Sequence, residues 1–238
     1  MLHTRLWLGT LLLCLFTAVP AFAHYLWVEP GEEAYHVRRG LIPDGIDAFD
    51  ARHITVIRAF DSKGQGTEIE RFNEPDGVRI AFGVNPAVLA VTAEWGHRVN
   101  TPDGKKFLSK PEAAEQGFEV LSAFTSTQYS KTFFSSGGLW REPFDIPLEI
   151  VALSEQDNLF PGDMLILKVL FNGKPLPDCP VRYSLSKEES RTDKDGIVHI
   201  LIAGDGWQSF FATHTEVEPE TSDVDYRQLM SFFNFSLK

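Results

Sequence analysis

The chain has 238 residues, 43% hydrophobic and 23% charged, so it holds enough apolar surface to form a core and is not a disordered, collagen-like or coiled-coil protein. Twenty-two basic residues stand against 33 acidic ones, a formal charge of −11. That balance repels phosphate backbones and argues against nucleic-acid binding.

Met1–Arg5 carries one positive charge, Leu6 to Pro20 is almost wholly apolar, and Ala21-Phe22-Ala23 is a small-x-small site. This is the pattern of a secretory signal peptide spanning residues 1–23, with cleavage after Ala23 and export to the periplasm. The residues before Cys14 are leucines, which argues against a lipoprotein signal. No later segment approaches the ~20 apolar residues of a membrane helix, so no span is expected in the mature chain. Cys179 is then the one remaining cysteine, and Pro-Asp-Cys179-Pro reads as a turn leading into a strand with the thiol tucked in.

In the first half, Tyr25–Val28, Ile54–Phe60, Val78–Phe82 and Ala87–Trp95 read as strands. Between Ser109 and about Phe134 the pattern changes. Ser109-Lys-Pro-Glu112 fits a capping box, and Ala113, Ala114, Phe118, Leu121 and Phe124 recur at helical spacing, predicting one amphipathic helix. Turn residues from Gly137-Gly138 through Pro143 to Pro147 mark a boundary. Beyond it the text is all-β: Leu148–Leu153, Met164–Phe171, Val181–Ser186, Ile197–Ile202, Trp207–Thr213 and Gln228–Leu237, with turns at Phe160–Asp163, Asn172-Gly173, Asp195-Gly196 and Gly204–Gly206. The expected fold is mainly β. Residues 24–142 form a β-rich domain with one amphipathic helix, and residues 143–238 an immunoglobulin-like or transthyretin-like sandwich.

No nucleophile elbow, phosphate-binding loop, His-Glu-x-x-His or Cys-x-x-Cys is present, and no catalytic residue is assigned. Thr192–Gly196 has only part of a calcium loop and reads as a hairpin turn. Histidine carries what chemistry remains. Cleavage after Ala23 makes His24 the first residue, offering an α-amine and an imidazole to Ni²⁺, Co²⁺ or Cu²⁺. His214 stands at a strand end before Glu216, Glu218 and Glu220, and reads as either a ligand or a solvated loop residue; His97 is equally open. His199 reads as a strand surface residue, and Asp44, Asp47, Asp50 and His53 as a solvated loop.

Taken in order, Ala23-His-Tyr-Leu-Trp-Val-Glu-Pro30, Asn100–Lys106, Pro147–Leu153, Phe160–Asp163, Val169–Pro175, Thr192–Gly196, Gly206-Trp207 and Ala212-Thr-His214 resemble the periplasmic family associated with ABC-type nickel and cobalt uptake. The resemblance implies a C-terminal β-sandwich and a transition-metal ligand, nickel or cobalt, with copper as a further candidate. It implies an ABC-type or energy-coupling uptake transporter as partner. By position it carries over His24 and His214 as metal ligands, with His97 or Glu216 completing the set. The expected function is metal binding in support of uptake, without catalysis. The alternatives are a metal-free β-sandwich binding or structural module of the envelope, and a copper oxidase with a histidine brace.

Overall fold

The computed structural model describes residues 24–42, 45–135, 138–154, 159–186, 188–219 and 223–237. The signal segment, Gly137, Glu220 and Asp44 lie outside the described residues. In the first half, the strands are β1 (Tyr25–Pro30), β2 (Tyr35–Leu41), β3 (Gly45–Ile46), β4 (Ile54–Phe60), β5 (Gly66–Thr67) and β6 (Ile69–Glu74). They are followed by β7 (Gly77–Phe82), β8 (Val88–Thr101), β9 (Gly104–Lys106), helix α1 (Lys110–Glu115) and β10 (Ser122–Phe133). The second half contributes β11 (Leu148–Ala152), β12 (Met164–Phe171), β13 (Lys174–Pro175) and β14 (Pro180–Tyr183). It closes with β15 (Glu189–Arg191), β16 (Ile197–Leu201), β17 (Trp207–Val217) and β18 (Tyr226–Ser236). The protein is mainly β, with 56% strand, one short helix and three sheets among the described residues. None of the described helices is long and apolar enough to cross a membrane.

The sheets stack as three layers. The middle one has nine strands, with β15-β14-β17-β18-β10-β8-β4-β5 as its path and β9 beside β8. One face receives a five-stranded sheet, β1-β2-β7-β6 with β3, whose Leu26, Val28, Val37 and Ile80 meet Leu89, Val91, Phe211 and Phe232. The other receives a four-stranded sheet built on β11 and β12, whose Leu148, Ile150, Leu165 and Leu167 meet Val181, Phe210 and Phe233. Successive side chains on a strand point to opposite faces, so Phe210-Phe211 on β17 and Phe232-Phe233 on β18 each feed both cores.

The middle sheet crosses the boundary expected at Pro143. β10 runs parallel to β18 with ten partners, from Phe124 opposite Tyr226 to Phe133 opposite Phe235. Pro143 therefore marks a change of layer, and both halves share one sheet. The second half does form a sandwich, but one of its two sheets is completed by strands from the first.

The helix is shorter than expected. Its capping box is in place, with Ser109 and Glu112 each bonding the other's backbone, and it ends at Glu115. Gly117 adopts φ +77, and the amides of Gly117 and Phe118 donate to the carbonyls of Ala114 and Ala113, a Schellman stop that only a residue at ease with positive φ makes without strain. Leu121 and Phe124 thus lie off the helix, and Phe124 belongs to β10, whose Ser- and Thr-rich alternation pairs with β8.

Candidate functional site

The N-terminal strand is held down by polar side chains of the middle sheet. β1 is an edge strand, so its outward backbone groups need partners. Gln128, Ser130 and Thr132 alternate along β10 and supply them. Gln128 Nε2 donates to the His24 carbonyl (3.0 Å), Ser130 Oγ to the Leu26 carbonyl (2.8 Å), and the Val28 amide donates to Thr132 Oγ1 (3.0 Å). Asn234 of β18 also donates to the Leu26 carbonyl at 3.1 Å. Gln128 is itself fixed by the Trp95 indole, which donates to its Oε1 at 2.9 Å. This ladder brings His24 to the wall of a cavity of about 350 Å³.

Four cations from four strands line that cavity: Arg39 of β2, Arg98 of β8, Lys105 of β9 and Arg182 of β14. Phe124, Phe211 and Met230 form an apolar wall, with Gln128, Gln228 and Thr213 among the polar lining. Trp95 and Arg98 are three apart on β8, a spacing that strict alternation would send to opposite faces. The register of β8 against β10 shifts in this stretch, and Gly96 adopts φ +69, so both side chains line the cavity.

Compensation of these charges is uneven. Arg39 is 3.2 Å from Asp47, which also lies 2.9 Å from His24 Nε2, and Arg182 is 2.9 Å from Glu189. Among the described residues no carboxylate pairs with Arg98 or Lys105. Arg98 is only 8% exposed and spends one guanidinium nitrogen on the Trp95 carbonyl at 2.8 Å. Burial, with Arg39 adding to it, brings its pKa down to about 10. Desolvation and then Arg98 lower Lys105. His24 is lowered by burial and by Arg39, against the pull of Asp47. Among the described residues, Arg39 Nε is buried with no hydrogen-bond partner. In a chain of charge −11, this is a local excess of positive charge with unmet donors.

The four expected metal ligands do not converge. Thr213 lines the cavity, whereas the next residue, His214, packs its ring on Phe171 of β12 at 4.5 Å, on the side of the four-stranded sheet. His24 and His214 therefore lie on opposite faces of the middle sheet. Glu216 is 3.5 Å from Arg227 and faces as His214 does, two residues on. His97 lines a neighbouring cavity with His53 and Glu112, separated from His24 by the wall of Arg39, Trp95 and Arg98 that both cavities share. Among the described residues, no group of three or more His, Cys, Asp or Glu side chains is placed to hold a metal ion. His53 bonds the Glu94 carbonyl through Nδ1 at 2.8 Å, and His199 is exposed on β16.

Cys179 is buried, donates to the Thr213 carbonyl at 3.4 Å, and has its pKa pushed up to about 11 by burial, so it is an inert thiol. Asp193 accepts from the amides of Asp195 and Ile197, each at 2.9 Å, closing a hairpin turn. The cavity's cations were not singled out in the sequence. They are far apart along the chain, and none of them stands in a motif that marks a site.

Residues 21–216 match the model of a family described as a domain of unknown function, DUF4198. The chain belongs to the DUF4198 family. The match takes in His24, all four cations of the cavity and the three layers, stopping short of β18. No curated protein matches the chain in sequence. The description of the DUF4198 family names neither a metal nor a transporter.

Proposed function

We propose that the mature protein is a non-catalytic binding protein of the periplasm that takes a small anion into the cavity beside His24. The observation that carries this reading is the pair Arg98 and Lys105, turned into one cavity without a carboxylate partner among the described residues. Arg98 is buried and Lys105 exposed at the rim, so two like charges share one cavity with one of them largely out of water, which raises the free energy of the empty site, and an anion lowers it. Calorimetric titration of the mature chain with citrate and with phosphate tests this. One-to-one binding that weakens at least tenfold in Arg98→Met and with rising salt supports it. Binding unchanged in Arg98→Met contradicts it.

Nickel or cobalt binding for an uptake transporter is the second reading, and the His24–Asp47 contact at 2.9 Å favours it. With the α-amine freed by cleavage, these residues offer two nitrogens and an oxygen, a donor set that suits such ions. A bare cation, however, enters a site with Arg39, Arg98 and Lys105 close by. Titration with Ni²⁺, Co²⁺ and Cu²⁺ separates the readings, because metal binding through His24 strengthens when Arg98 is removed and anion binding weakens.

A further inference from the structure

Resting on the anion reading, we infer that the ligand carries a compact dianionic head on a carbon body. The head follows from charge. Arg39, Arg98, Lys105 and Arg182 stand against Asp47 and Glu189, an excess of two positive side-chain charges around the cavity. A single carboxylate leaves one of these cations uncompensated, and with Arg98 only 8% exposed, water does little to make up the difference. A phosphate monoester or two adjacent carboxylates neutralise the excess, and each presents several acceptors to the guanidinium forks that line the cavity.

The body follows from the other wall. Phe124, Phe211 and Met230 line the same cavity, each at most 8% exposed, and an inorganic ion leaves that small apolar area against water. Covering it removes apolar area from water, which favours an organic body over a bare ion. The ligand class is therefore organic, either a phosphate monoester or a vicinal dicarboxylate. Both share one chemistry: two negative charges close together at one end of an apolar frame.

Four probes with the mature chain at pH 7 decide this by calorimetry: phenyl phosphate, phthalate, benzoate and inorganic phosphate. Phenyl phosphate or phthalate should bind at least tenfold more tightly than both benzoate and inorganic phosphate, and the better of the two names the head. In Lys105→Met, a change at the cavity rim, the preference over benzoate should fall to within about threefold. Met230→Ala should narrow the gap between phenyl phosphate and inorganic phosphate. Benzoate binding as well as phthalate overturns the dianionic head while leaving the anion reading intact. Inorganic phosphate matching phenyl phosphate overturns the carbon body. Failure of all four anions to bind overturns the anion reading itself, and this inference with it.

Discussion

His24 is faced by Arg39, Asp47, Lys105 and Arg98, and the net effect of burial and these neighbours is to hold its imidazole below the ordinary 6.5. A group whose folded pKa is depressed contributes stability above its unfolded pKa and loses it as pH falls through the folded value. Melting of the ligand-free protein should therefore weaken below pH 6.5 by a component that His24→Gln removes; an unchanged acid limb in that variant would show that the ring is not desolvated. On the other face of the same sheet, Lys131 and Glu149 form a buried pair at 2.7 Å, and Glu149 also accepts from the amides of Phe144 and Ile146. Lys131→Met alone strands the carboxylate and should cost about 3–5 kcal/mol. Adding Glu149→Gln keeps an acceptor for those amides and should recover most of that loss in urea unfolding.

At the scale of elements, β8 carries the site because it departs from ideal alternation at Gly96. Gly96→Ala puts a side chain at φ +69 and should cost about 1 kcal/mol. Its effect on anion affinity should be larger, since regular alternation turns Arg98 away from the cavity; equal affinity in a stably folded Gly96→Ala would separate the bulge from the site. Many of the strands were readable beforehand. Ile54–Phe60 and Met164–Phe171 were legible residue for residue as β4 and β12, because alternation and an Asn-Gly turn are local signals. The helix after Ser109 was legible at its start, where the capping box is local, and misread at its end. There, helical spacing of Phe118, Leu121 and Phe124 coincided with a chain that a single glycine turns into a strand. β6 escaped because Ile69–Glu74 is a charged, half-exposed edge strand, and β2 because the alternation of Tyr35–Arg38 gives way at once to Arg39-Gly40.

For the molecule as a whole, the three-layer arrangement explains what linear reading left out. Phe210-Phe211 and Phe232-Phe233 break the alternation of one-sided strands because β17 and β18 are covered on both faces. The same geometry separates His24 from His214, which sequence order alone cannot reveal. It also gathers Arg39, Arg98, Lys105 and Arg182 from four strands into one cavity, in a chain whose overall charge is −11. Net charge describes the average surface, whereas a site is set by which few charges share one enclosed volume. Insertion of one Ala before His24 bears on the same packing. It displaces the mature α-amine while leaving the Gln128 bond to the His24 carbonyl. Anion affinity should change less than threefold, whereas chelation through the amine would fall at least tenfold.

The most direct test is native mass spectrometry of the mature protein purified from the periplasm, with the N-terminus at His24 confirmed by mass. The account predicts one small organic anion per chain, released on unfolding and missing from Arg98→Met. A bound nickel or cobalt ion with no accompanying anion, retained in Arg98→Met and lost in His24→Ala, would contradict it.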